Sequence, residues 1–64
     1  MKLEKKELIK FLSSDLKSTH QIAEESNLNW YICFSMLQEL YFEGLIEREQ
    51  VNRATFWRIK NGEQ

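Results

Sequence analysis

The chain has no proline, only two glycines, one cysteine and one histidine in 64 residues. Each scarcity excludes something. Without proline, no helix is interrupted. A single cysteine makes no internal disulfide, and together with a single histidine it makes a poor metal site. With so little glycine there is no glycine-rich phosphate loop. No apolar run approaches the roughly 18 residues that a membrane span needs. The start of the chain, Met1-Lys2-Leu3-Glu4-Lys5-Lys6, leads into alternating polar and apolar residues and lacks a signal peptide's continuous apolar stretch. A cytoplasmic protein is the expectation.

Basic residues are also scarce where they would be most telling. The net charge is −1, mildly against a nucleic-acid binder by sum alone. The distribution says more. Residues 1–20 carry +2, residues 21–50 carry −5, and residues 51–64 carry +2. Positive charge sits at both ends, around an acidic middle. Apolar residues make up 42% and charged residues 30%, a balance that excludes low-complexity and disordered readings. At this length the chain is one domain, residues 1–64, burying about 60% of its unfolded surface. Residues 61–64 read as a frayed tail.

What is present is helical periodicity followed by strand periodicity. Leu3, Leu8, Ile9, Phe11 and Leu12 predict an amphipathic helix over residues 3–13. Leu16 should return the chain to the core. Ser18 and Gln21 form a capping box, in which each side chain satisfies a backbone amide of the other's residue or turn. A short second helix follows, with Ile22 and Ala23 inward. Asn27-Leu28-Asn29 reads as a turn with Leu28 in the core and Asn29 as N-cap of a third helix over residues 30–43. Cys33, Met36 or Leu37, and Leu40 are its inward stripe. Gly44 suits the left-handed residue that closes a helix. Residues 45–50 and 55–60 predict two strands joined by a hairpin loop over residues 51–54. Trp57 and Ile59 share one face of the second strand, and Phe56, Arg58 and Lys60 share the other.

The ordered pattern from Ser18-x-x-Gln21-Ile22-Ala23 through Leu28-Asn29, Leu37-x-x-Leu40-x-x-x-Gly44-Leu45-Ile46-Glu47-Arg48 and Phe56-Trp57-Arg58-Ile59 resembles the winged helix-turn-helix family over nearly the whole chain. The resemblance implies a mainly α fold of three helices with a two- or three-stranded wing, and a transcriptional regulator that binds duplex DNA as a homodimer. It places the third helix in the major groove and the wing on neighbouring phosphates. The base-facing positions are then Trp30, Tyr31, Phe34, Ser35 and Gln38, with Asn29 beside them. Basic groups placed for phosphate are Lys17, His20, Arg48, Arg53 and Arg58. Arg53 leads because it stands at the wing tip, whereas Arg48 and Arg58 equally suit surface ion pairs with Glu47 or Glu49.

This chain departs from the family in carrying no Lys or Arg on the third helix. Trp30, Tyr31 and Phe34 cannot all point inward while Cys33, Leu37 and Leu40 do. An alternative is therefore a protein-interaction module whose partner docks on Trp30, Tyr31 and Phe34. Tyr41 or Phe42 should pack on the first helix and the other should be exposed. Cys33 is a core residue rather than a nucleophile, since no base is placed to activate it. No enzyme, metal or cofactor is expected.

Overall fold

The computed structural model describes residues 4–60. In chain order they form a 3₁₀ helix (Lys5–Phe11), strand β1 (Lys17–Ser18), helix α1 (Thr19–Ser26), helix α2 (Trp30–Phe42), strand β2 (Ile46–Val51) and strand β3 (Ala54–Ile59). Three helical segments thus pack with a three-stranded antiparallel sheet of order β1-β3-β2. The expected positions of Leu3 and of the tail 61–64 lie outside the described residues.

The first segment is helical as expected, but shorter than residues 3–13 and a 3₁₀ helix. It winds with i→i+3 bonds, such as Glu7 N–H to Glu4 O at 2.9 Å and Leu12 N–H to Ile9 O at 3.0 Å. So short a helix is not stable alone, and it is held by the burial of Leu8, with Leu12 just beyond its end, in the core. Leu16 also departs from expectation, being 39% exposed. The chain there enters β1, where Lys17 lies opposite Trp57 and Ser18 opposite Phe56. Alternation along the strand turns Lys17 toward Trp57's side and Leu16 away from it.

Both α-helices begin and end as their sequences direct. The Ser18 hydroxyl accepts from the Gln21 amide at 3.1 Å. The reciprocal half of the predicted capping box is missing. The Gln21 side chain donates instead to Glu25 at 3.2 Å, one turn further along the same helix face. Asn27, at φ 60°, closes α1, and the amides of Asn27 and Leu28 bond back to Glu24 and Ala23. Asn29 caps α2 by accepting from the Tyr31 amide at 2.8 Å. Gly44, at φ 81°, closes α2 the same way, its own amide on Tyr41 O and that of Leu45 on Leu40 O.

The core comprises Leu8, Leu12, Ile22, Ala23, Cys33, Leu37, Leu40, Ile46 and Trp57. Each fully buried Leu or Ile contributes about 1.5–3 kcal/mol by leaving water. Trp57 is fully buried, and its indole N–H donates to the Thr19 hydroxyl at 2.7 Å. That bond ties the middle of β3 to the first residue of α1. The hairpin is tighter than predicted. Val51 pairs with Ala54, leaving a two-residue loop, Asn52–Arg53, in place of four residues. Such a loop demands positive φ at its first position, and Asn52 supplies it at 58°.

Candidate functional site

The surface of α2 divides into three stripes, set by its 3.6-residue period. Trp30, Phe34, Gln38 and Tyr41 run along the side facing the sheet. The Trp30 and Phe34 rings stack at 5.1 Å and 5°, and Phe34 meets Trp57 edge-on at 5.7 Å. Further along, Arg48 of β2 donates through Nη1 to the Gln38 carbonyl oxygen, and its guanidinium carbon lies 4.5 Å above the centre of the Tyr41 ring. Of the residues expected to face DNA, Trp30, Phe34 and Gln38 are thus turned toward the hairpin. Phe34 and Gln38 are half-buried there, and Trp30 stays largely exposed.

The outward ridge of α2 is formed by Tyr31, Ser35 and Phe42, with Ile32 beside it. Tyr31 is 77% exposed and Phe42 74%, so both rings stand almost free of the domain. Phe42 is thereby the exposed member of the pair Tyr41–Phe42. Tyr41 is half-buried beneath Arg48. The remaining side of α2 carries Glu39 and Glu43, which both engage Lys5 of the 3₁₀ helix, Glu39 at 3.4 Å and Glu43 by a shorter contact. The hydrogen bond to Glu43, ahead of that to Glu39, raises the Lys5 pKa. The acidic residues of α2 therefore lie on its flank and are partly neutralised.

At the start of α2 a cleft of about 310 Å³ opens between three elements. Ser18, Thr19 and His20 line it from the start of α1, Trp30 and Phe34 from α2, and Arg53 with Ala54 and Thr55 from the hairpin. Four of the predicted site residues meet here although they come from distant parts of the chain.

The cations sort by what already holds them. Lys17 donates to Phe11 O and to Glu25, each at 2.9 Å. Its ammonium, with help from Gln21, holds the Glu25 carboxyl below its usual pKa. Arg58 pairs with Glu47 at 2.8 Å across the hairpin. His20 lies 3.0 Å from Glu24, one turn on, and both side chains are well exposed. Arg48 is engaged by Gln38 and Tyr41. Of the nominated cations, only Arg53 has no ion pair or side-chain hydrogen bond among the described residues. It is exposed at the loop.

Cys33 is fully buried, and that burial pushes its thiol up to about 11, leaving it un-ionised at neutral pH. Among the described residues no group of three or more His, Cys, Asp or Glu could hold a metal ion, and no helix is long and apolar enough to cross a membrane.

Three residues matter that the sequence reading did not single out. Thr19 holds the Trp57 indole, Lys5 holds Glu39 and Glu43, and Ile32 extends the exposed ridge. Ile32 was discoverable from the helical period, since it falls outside the buried stripe of Cys33, Leu37 and Leu40. Thr19 and Lys5 act across the fold and leave no local signal. No family model matches the chain, and neither a curated protein nor a solved structure matches it.

Proposed function

We propose that this chain is a winged helix-turn-helix domain that binds duplex DNA as a homodimer and regulates transcription. In this reading α2 enters the major groove and the β2–β3 hairpin is the wing. The observation that carries it is the shared cleft. The start of α1, the first turn of α2 and the Arg53 loop border one another, so the three parts that would meet a sugar–phosphate backbone lie side by side.

The chemistry available to α2 is mostly apolar. Tyr31 suits the methyl groups of thymines, and Ser35 can donate to or accept from either kind of base edge. Electrostatic attraction rests on Arg53, with His20 and the hairpin backbone near it. A single domain with so few free cations binds weakly, at the non-specific level of roughly 10⁻⁴ to 10⁻⁶ M at physiological salt. Two domains on one operator supply the remaining affinity.

The test is titration of a labelled random duplex, read by fluorescence anisotropy at low and at moderate salt. Affinity should fall steeply with salt. Arg53→Ala should weaken binding to all sequences alike and reduce the salt slope by about one. Binding that ignores both salt and Arg53 would remove this docking mode. A second reading has its own observation: Tyr31, Phe42 and Ile32 are 77%, 74% and 50% exposed on one side of α2. Absence of DNA binding even at low salt would favour a protein partner on that ridge.

A further inference from the structure

Arg48 looks from the sequence like a wing cation for phosphate. Its surroundings argue for a different role. Arg48 lies opposite Trp57 in the β2–β3 ladder, so its side chain leaves the sheet on the face that carries α2. There it is held twice, by a hydrogen bond to Gln38 and by stacking on Tyr41 at 4.5 Å. A guanidinium has donors and no acceptor. It therefore fixes the orientation of the Gln38 amide, with Oε1 toward the hairpin and the Nε2 hydrogens away from it.

We propose that Arg48 is a positioning residue for Gln38, and that the clamped amide reads adenine, donating to its N7 and accepting from its N6 amino group. This rests on the DNA-binding reading given above. A free glutamine recognises adenine with two bonds, donating to N7 and accepting from the N6 amino group. Arg48 takes one of the two lone pairs of Oε1, which leaves the second free to accept from N6. Adenine presents N7 as an acceptor beside the N6 donor in the major groove, whereas guanine presents two acceptors and pyrimidines have no N7. The clamped glutamine thus favours adenine. Other polar groups along α2 do not duplicate this function. Ser35 is one turn earlier on the outward ridge, and Glu39 is turned to the flank by Lys5.

The experiment has two arms on the full 64-residue chain. In the first, ¹⁵N-edited NMR follows the Gln38 side-chain amide without DNA. Arg48→Met should move both of its proton signals, and unmoved signals would show that the clamp does not exist. In the second, bound duplexes are selected from a random pool by wild type, Arg48→Met and Gln38→Ala. Wild type should favour A over G, C and T at one position by roughly fivefold, the low end of bidentate readout. Gln38→Ala should lose that preference. Arg48→Met should reduce it, because the released amide is no longer held in the reading orientation. If Arg48→Met instead weakens all sequences equally and leaves the preference unchanged, Arg48 is a phosphate contact and the inference falls while DNA binding stands. If wild type selects no duplex at all, the DNA-binding reading falls, whatever the NMR arm shows about the clamp.

Discussion

The hydrogen bond between Trp57 and Thr19 should be the most consequential polar contact in the domain. The indole N–H is fully buried and 2.7 Å from the Thr19 hydroxyl, which is itself buried and lies 3.4 Å from the Thr55 carbonyl. Thr19→Val preserves β-branching and replaces the hydroxyl with a methyl group. A buried donor left without a partner costs roughly 1–3 kcal/mol. A domain of this size has a total stability of about 3–10 kcal/mol, at the usual value per residue. The substitution should therefore remove a large fraction, and a loss of about 2 kcal/mol lowers Tm by roughly 8–16 °C. Thr19→Ser keeps the oxygen and loses one methyl, worth about 0.8 kcal/mol. Urea unfolding followed by far-UV circular dichroism measures both without relying on Trp57 fluorescence. Because the bond joins α1 to β3, Thr19→Val should also loosen the cleft that His20, Trp30 and Arg53 border. The bond has no such weight if Thr19→Val stays within about 0.5 kcal/mol of wild type, or if Thr19→Ser is equally costly.

Three further outcomes follow from the backbone and the core. Gly44→Ala should cost about 1–2 kcal/mol in the same unfolding experiment, since φ is 81° and a Cβ there would meet nothing within 4 Å, leaving backbone strain as the only term. Cys33 should resist alkylation by iodoacetamide at pH 8 until the chain unfolds. Its folded pKa, near 11, lies above the ordinary value of 9.0, so the thiol's contribution to stability is complete below pH 9 and is lost as pH rises through 11. Titration of stability over that window, in wild type against Cys33→Ala, checks the sign.

The legible parts of this fold are those whose causes are local. Ser18, Asn29 and Gly44 mark helix boundaries through bonds that span two to five residues, so the extent of α2 was readable to within one residue. Cys33, Leu37 and Leu40 declare the buried stripe through the helical period alone. Ala54 pairs with Val51 because Asn52 accepts a positive φ, a local cause that the expected four-residue loop did not use. By contrast, β1 is only two residues long and exists because β3, 38 to 40 positions later, offers it a partner. Lys17-Ser18 carries no strand signal of its own.

The candidate site divides along the same line. The sequence by itself determined which residue types are available: no cation on α2, surplus aromatic rings around its first turn, and an arginine at the hairpin loop. Tertiary packing decided what each of them faces. Trp30 and Phe34 turned toward Trp57, Gln38 met Arg48, and Lys17 and Arg58 were taken up by Glu25 and Glu47. Tyr31, Phe42 and Arg53 remained in solvent. The physical reason is range. Caps and periodicity are fixed by neighbours along the chain, whereas the orientation of a side chain on an amphipathic helix depends on how far round its surface the next layer reaches. Here that layer is a hairpin whose position is set by the buried Trp57 and its bond to Thr19.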